Sequence, residues 1–213
     1  IMNNYISIID LGLSNLYNVK LACDKIKIKS KFVSSAEEIN NSKALILPGV
    51  GSFKVAMQRL RKLKLEKPIK NFIKMNKPFL GICLGMQLLF SSGEESGKTR
   101  GLNIFKGSVK KFKYEKTTKI RYSVPHVGWN SINFKKGKKN EILDGISEKD
   151  FMYFVHSYYV DTPDKKIIST KTTYGKKKFC SSVTFKNLFA CQFHPERSGE
   201  KGIKIYKNFK KII

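Results

Sequence analysis

The sequence predicts an α/β fold with a central, mostly parallel sheet flanked by helices and with additional antiparallel strands in the second half. Three observations predict it. Short apolar runs alternate with amphipathic segments in the first half, which is typical of βαβ units. Strand-like runs follow one another in the second half, and no Pro-, Gly- or Ser-rich linker separates the halves. We therefore expect one domain over residues 1–213.

The first half alternates predicted strands and helices. The strands are four apolar runs at residues 5–10, 30–34, 43–47 and 77–82. A first helix follows Ser14, a good N-cap, and its apolar stripe is formed by Leu16, Val19, Cys23 and Ile26. A second helix begins at Ser52, and its stripe is formed by Phe53, Met57, Leu60 and Lys64. The segment LGMQLLF, residues 84–90, predicts a third helix directly after a strand.

The second half is predicted to be mostly strands. They cover residues 107–112, 128–134, 151–160, 167–174, 177–185 and 188–194. Lys186 and Asn187 between the last two predict a hairpin. The tail from Ser198 predicts a helix, whose apolar stripe is Ile203, Tyr206, Phe209 and Ile213.

The chain is strongly basic, with 42 Lys and Arg against 16 Asp and Glu and a net charge of +26. Almost all of the positive charge is Lys, spread over the whole length, whereas Arg supplies much of base and phosphate recognition. We therefore expect no specific nucleic-acid binding, and a basic surface that faces an acidic partner protein. No apolar run approaches the roughly 20 residues of a membrane helix, and the N-terminal residues lack the layout of a secretory signal. These features predict a soluble, cytoplasmic protein.

The four cysteines are Cys23, Cys83, Cys180 and Cys191, and no two of them form a CxxC pair. We expect neither a zinc site nor a disulfide framework, and no metal or cofactor. Cys83 differs from the others because it stands in GICLGMQLLF, between Gly81 and Gly85, where a predicted strand meets a predicted helix. G-x-C-x-G is the pattern of a nucleophile elbow with sulfur in place of oxygen. The alternative is a buried cysteine in an ordinary strand-to-helix turn.

A thiolate nucleophile usually needs a base, and the chain has three histidines. His194 precedes Pro195 in CQFHPERSG, which favours an extended backbone. If the extension persists, Glu196 lies on the same face and can orient the imidazole; the alternative is a surface turn. His156 lies in an aromatic strand and is predicted to pack or to line a pocket, and His126 is predicted to lie in a loop.

A third element is LILPGVGSF, in which Gly49, Val50 and Gly51 follow a strand and precede a helix. Such a turn presents backbone N–H groups that can bind a phosphate or the oxyanion of an acyl-transfer intermediate. The stretch has neither the Lys-Ser/Thr pair of a P-loop nor the pattern GxGxxG.

Together and in this order, these motifs resemble the class I, triad-type glutamine amidotransferases. PGVG, GICLGMQLLF, PHVGWN, YFVHSYY and FACQFHPERSG are similar to those of the glutaminase subunits of imidazole glycerol phosphate synthases, and the resemblance runs from Asp10 to the tail. The sequence departs from that family at Ser14, where Gly is common, and at Arg197, where Lys often follows HPE.

The resemblance implies a glutaminase mechanism in which Cys83 attacks the side-chain amide of glutamine, His194 transfers protons and Glu196 orients His194. It implies an oxyanion site at the PGVG turn and at Leu84. It further implies that the glutamine ligands are Gln87, Glu95, Ser157 and Tyr158. Glu94 competes with Glu95, because SSGEESG is predicted to be a loop without a fixed register.

The resemblance also implies a heterodimer with a (β/α)₈ barrel cyclase that uses the ammonia to make imidazole glycerol phosphate and AICAR in histidine biosynthesis. The implied partner interface is formed by Asn15, His126, Trp129, Tyr153 and Arg197. For Trp129 the alternative is core packing. Two other functions stay open: a paralogous glutaminase that supplies a sugar amidotransferase of surface-polysaccharide synthesis, and a non-catalytic basic scaffold that binds nucleic acid.

Overall fold

The computed structural model describes residues 5–13, 16–113, 115–116, 121–135 and 141–213. Its first half alternates strands and helices as the sequence predicts. In chain order these are β1 (Ile6–Ile9), α1 (Tyr17–Lys25), β2 (Ser30–Val33), α2 (Ala36–Asn40), β3 (Ala44–Leu47), α3 (Phe53–Lys62), α4 (Glu66–Lys74), β4 (Phe79–Ile82) and α5 (Leu84–Leu88).

The second half is mostly strands, followed by one long helix. The strands are β5 (Phe90–Gly93), β6 (Thr99–Arg100), β7 (Phe105–Lys111), β8 (Glu115–Lys116), β9 (Arg121–Tyr122), β10 (His126–Ser131), β11 (Asn133–Phe134), β12 (Phe151–His156), β13 (Tyr158–Asp161), β14 (Ile168–Tyr174), β15 (Lys177–Phe185) and β16 (Leu188–Cys191). Helix α6 (Gly199–Lys211) ends the chain, and short 3₁₀ turns occur at Glu141–Leu143 and Pro195–Arg197.

The main sheet confirms the predicted fold class. Its order is β2-β1-β3-β4-β16-β15-β13-β7-β5-β6, with β14 beside β15 and β11 beside β14. The first five strands are parallel neighbours, whereas β16, β15, β13 and β7 pair antiparallel. The carboxyl ends of β3, β4 and β16 therefore meet at one edge, which is where open α/β sheets bind their ligands.

Helices cover both faces of the parallel part of the sheet. On one face α3 and α4 bury residues such as Phe53, Leu60 and Phe72. On the other face α1 and α6 bury residues such as Cys23 and Phe209. Within the described ranges, no helix is long and apolar enough to cross a membrane.

Several predicted helix boundaries are wrong. α3 ends at Lys62, so Lys64 is exposed beyond the helix with a φ of 55°. The helix after Cys83 ends at Leu88, because Phe90 begins β5, which pairs with β7. Ile213 lies beyond the end of α6 and is 42% exposed. The predicted N-cap Ser14 lies outside the described residues, and α2 and α4 were not predicted.

The predicted strand at 151–160 is two strands that separate at Ser157. β12 pairs with β10 in a two-stranded sheet of its own, whereas β13 joins the main sheet between β15 and β7. The loop predicted for His126 is wrong, because His126 begins β10 and lies opposite His156 in β12. The hairpin at residues 186–187 is confirmed.

Candidate active site

Cys83 lies at the turn between β4 and α5, with a φ of 51° and a ψ of −107°. A non-glycine residue rarely adopts this backbone, so the surrounding packing must impose it. A Cβ atom on Gly85 would lie 1.8 Å from the carbonyl oxygen of Leu47, and one on Gly81 would lie 2.9 Å from the Cβ of Ala190. Glycines on both sides therefore let α5 pass directly over the ends of β3 and β4, which is the geometry predicted from G-x-C-x-G.

His194 follows β16 with an extended backbone, at a φ of −103° and a ψ of 93°. The predicted extension ends there, because Pro195 begins a 3₁₀ turn. That turn brings Glu196 back, so that its Oε1 lies 2.7 Å from Nδ1 of His194. Both side chains are buried, at 5% and 7% exposure, and the alternative of a surface turn is wrong.

The charge state of His194 is set by opposing effects. Burial lowers the pKa of His194, whereas Cys83 and Glu196 raise it, and the balance is a pKa of about 10. The imidazolium is therefore favoured at neutral pH. Nδ1 of His194 faces Glu196, so its buried Nε2 is the ring nitrogen that interacts with Cys83. This is the ring nitrogen available to exchange a proton in the site.

A cavity of about 430 Å³ opens beside Cys83. It is lined by Val50, Gly51, Ser52, Cys83, Leu84, Gln87, Glu95, Pro125, Val155, His156, Ser157 and Tyr158. All the predicted glutamine ligands thus share one cavity with the candidate nucleophile, and His156 lines it as predicted.

Glu95, and not Glu94, reaches this cavity. Oε2 of Glu95 accepts a hydrogen bond of 2.6 Å from the backbone N–H of Phe53, at the start of α3. Glu94 continues past β5 with its backbone N–H bonded to Val109, and its side chain is exposed. The register that the sequence left open is fixed by the pairing of β5 with β7.

The PGVG turn lies against the elbow. The backbone N–H of Leu84 donates to the carbonyl oxygen of Gly49 over 3.3 Å. Gly51 has a φ of 103°, which favours glycine, and a Cβ added there would meet nothing within 4 Å. Gly51 therefore borders open space, and the N–H of Leu84 is engaged by Gly49 in this structure.

The sheet of β10 and β12 has one buried and one exposed face. His126 lies opposite His156 on the buried face, and Trp129 lies opposite Tyr153 on the other. Trp129 is 56% exposed, so the alternative of core packing is wrong, and the guanidinium of Arg197 lies 4.6 Å from the ring centre of Tyr153.

The interface predicted at Trp129, Tyr153 and Arg197 falls on this exposed face, which also carries Val127 and Phe151. We call it the docking face after that prediction. The interface position predicted for His126 is wrong, because its side chain is 2% exposed and supports this face from behind. Asn15 lies outside the described residues.

Gln192 belongs to the site but was not predicted. It is fully buried, and its Nε2 donates to Sγ of Cys83 over 3.4 Å. The signal that could have found it is a lone polar residue in the apolar run LFACQF, two positions before His194. In an extended segment this spacing places two side chains on the same face.

Comparison with known proteins agrees with this geometry. The family described as "Glutamine amidotransferase class-I" matches residues 1–212. The imidazole glycerol phosphate synthase subunit HisH of Caldanaerobacter subterraneus subsp. tengcongensis is 49% identical over 98% of both chains. The subunit of the same name from Aquifex aeolicus is 44% identical over 96% of this chain and 95% of its own.

Solved structures share the fold. The structure described as PurLQS from Thermotoga maritima superposes with a TM-score of 0.74 over 99% of both chains at 16% identity. A structure described as a glutamine amidotransferase gives a TM-score of 0.73 over 97% of both chains at 15% identity. By its family match over nearly its whole length, and by the fold it shares with these enzymes, this chain belongs to the class I glutamine amidotransferases.

Proposed function

We propose that this chain, as one domain, is the glutaminase subunit of an imidazole glycerol phosphate synthase. The observation that supports the chemistry is the placement of Cys83 on an elbow beside the buried His194–Glu196 pair and at the wall of a cavity. The assignment to histidine biosynthesis is supported by the similarity to HisH subunits over almost the whole chain. The four cysteines are free, which agrees with a reducing cytoplasm.

In the proposed reaction, the thiolate of Cys83 attacks the amide carbon of glutamine and forms a tetrahedral oxyanion. The imidazolium of His194 then donates a proton to the leaving nitrogen, and ammonia departs as the γ-glutamyl thioester forms. His194, now neutral, takes a proton from water, which attacks the thioester and releases glutamate. Glu196 keeps the ring in position and stabilises its charge. The sum is glutamine and water to glutamate and ammonia.

The other cavity residues hold the substrate in this proposal. Gln87, Glu95, Ser157 and Tyr158 bind its amino-acid end. Glu95 carries the negative charge that an α-ammonium group needs.

The oxyanion would be held by backbone N–H groups of Leu84 and of the PGVG turn. Because the N–H of Leu84 donates to Gly49, the turn must rearrange before Leu84 can serve as a donor. One oxyanion donor is worth roughly 10² to 10³ in rate. The chain alone is therefore proposed to be a poor glutaminase that is activated by its partner.

The partner in this proposal is a (β/α)₈ barrel cyclase bound at the docking face. Ammonia is protonated in water at neutral pH and then is not a nucleophile, so it must pass directly to the acceptor site. The backbone N–H of His194 donates to the carbonyl of Tyr153 over 2.9 Å. The docking face and the catalytic histidine are thereby joined through β12.

The test is the rate of glutamine hydrolysis for the chain alone, for its complex with the barrel cyclase, and for that complex with the imidazole-precursor ligand. We expect low, higher and highest rates in that order. Full activity of the chain alone would contradict regulation by the partner. Activation by a sugar amidotransferase and not by the cyclase would assign the chain to polysaccharide synthesis.

A further inference from the structure

The side-chain amide of Gln192 is buried next to Cys83, the candidate nucleophile. β16 runs parallel to β4, and the backbone N–H of Cys83 donates to the carbonyl of Cys191 over 2.7 Å. Gln192, the next residue, is therefore held beside Cys83, with its Nε2 3.4 Å from the sulfur. Gln192 is fully buried and lies outside the His194–Glu196 pair.

The direction of this amide is fixed by its other end. Nε2 of Gln87 donates to Oε1 of Gln192 over 3.0 Å and to the carbonyl oxygen of Tyr158 over 3.0 Å. The same carbonyl lies 2.7 Å from Nδ1 of His156. Since the oxygen of Gln192 is engaged as an acceptor, its NH₂ group is the end that faces the sulfur.

An N–H donor at this position interacts differently with the thiolate and with the thiol of Cys83. A thiolate accepts hydrogen bonds, and a hydrogen bond to the charged form favours it. A thiol can instead donate its single proton, and the carbonyl oxygen of Val155 lies 3.9 Å from Sγ. The amide of Gln192 has no proton to exchange at neutral pH, so it can hold the sulfur while His194 carries out the proton transfers.

We propose that Gln192 is a positioning residue, whose amide, oriented by Gln87, holds the sulfur of Cys83 as a hydrogen-bond acceptor for attack on the glutamine amide. The inference rests on the proposed function, in which Cys83 is the nucleophile. It adds a division of roles: His194 moves protons and Gln192 aims the sulfur.

The test is the pH dependence of Cys83 alkylation by iodoacetamide, followed by mass spectrometry of the Cys83 peptide. Gln192→Leu removes the donor, and Gln192→Glu keeps the shape and the acceptor for Gln87 while facing the sulfur with a carboxylate. We expect each variant to alkylate about tenfold more slowly than the wild type at pH 7, because the thiolate loses a hydrogen-bond donor. Asn208→Leu removes another buried amide, in α6, and should leave the curve unchanged.

The possible results separate the inference from the proposed function. Selective labelling of Cys83 in the wild type, with unchanged curves in both Gln192 variants, would overturn the role of Gln192 and leave the nucleophile in place. Wild-type labelling that does not select Cys83 would refute the proposed function itself.

If Gln192→Leu does not fold, Gln87→Leu provides the remaining test, because it frees the amide of Gln192 without removing it. A smaller decrease in the alkylation rate is expected for Gln87→Leu. A curve that matches the wild type would count against the inference.

Discussion

The buried histidine pair behind the docking face should make the protein unstable in mild acid. Nδ1 of His126 lies 3.1 Å from Nε2 of His156, and Nδ1 of His156 lies 2.7 Å from the carbonyl of Tyr158. A carbonyl only accepts, so His156 donates through Nδ1 and accepts from His126 through Nε2, which requires the ring of His156 to be neutral. Nε2 of His126 lies 3.4 Å from the side-chain NH₂ of Asn130 and accepts from it, so the ring of His126 is neutral as well. Burial lowers the pKa of His126 to about 4 and that of His156 to about 3.

The magnitude follows from linkage. Both folded pKa values lie below the ordinary value of 6.5, so the unfolded chain binds protons that the folded chain does not. The stability contribution is complete well above pH 6.5 and is lost as the pH falls from there towards the folded values. At about 1.4 kcal/mol per pH unit and histidine, the loss between pH 8 and pH 5 is about 2 kcal/mol for each ring. The two rings together lower the free energy of unfolding by about 4 kcal/mol, which is a large part of the roughly 5 to 15 kcal/mol that is typical of a folded protein.

Urea unfolding at pH 8 and pH 5 measures this loss. We expect His126→Asn and His156→Asn each to reduce the loss of stability between pH 8 and pH 5 by about 2 kcal/mol, whatever they cost at pH 8. His194→Asn is the control. The pKa of His194 is raised in the folded protein, so its stabilising contribution is complete below pH 6.5 and is lost only as the pH rises towards 10. This variant should therefore lose as much stability between pH 6.5 and pH 5 as the wild type does. Wild-type acid sensitivity in the double variant His126→Asn/His156→Asn would refute the reasoning.

Three further predictions concern the elbow, the docking face and the charge. Gly85→Ala should unfold the protein or cost at least about 3 kcal/mol in urea unfolding, because its Cβ would meet the carbonyl of Leu47 at 1.8 Å. The control Gly97→Ala has open space and should cost only about 1 kcal/mol of backbone strain. Equal costs would contradict the close packing of α5 on β3. Trp129→Ala should weaken binding of the cyclase by about 2 kcal/mol in calorimetry. Phe185 is exposed at the β15 hairpin, and Phe185→Ala should leave binding unchanged. The reverse result would place the interface elsewhere. The association rate with the cyclase, measured by stopped flow, should fall steeply from about 50 to 300 mM salt. The reason is that a net charge of +26 acts at long range and is screened within about 8 Å at physiological ionic strength. An association rate that does not change with salt would show that the charge does not assist docking.

Local patterns were sufficient to predict most of the fold. Apolar runs predicted the parallel strands, and the stripe of Val19 and Cys23 predicted α1. The missed helix α4 has a clear amphipathic pattern, with Ile69 and Phe72 buried and lysines on the other face. Pro68 lies in its first turn, where proline is compatible with a helix, so the sequence contained the signal for this helix. The shortening of α5 was not predictable locally, because it depends on the distant pairing of β5 with β7.

The site residues that have local sequence patterns were predicted, and those that depend on strand pairing were left open or missed. The elbow at Cys83 and the HPE segment have local patterns, and the structure brings them together at neighbouring strand ends. The choice of Glu95 and the buried place of His126 depend on register and on strand pairing, which a single sequence does not contain. Gln192 was missed because its role depends on its neighbour across the sheet.

The central claim is that Cys83 is the nucleophile of a glutaminase, and one measurement tests it most directly. In the assembled complex, Cys83→Ala and Cys83→Ser are predicted to reduce glutamine-dependent synthesis by roughly 10³-fold or more and to leave synthesis from added ammonium salts at the wild-type rate. Cys180→Ala should retain both activities, since burial raises the pKa of that thiol to about 12 and Cys180 does not line the cavity. Glutamine hydrolysis by Cys83→Ala at near the wild-type rate would contradict the account.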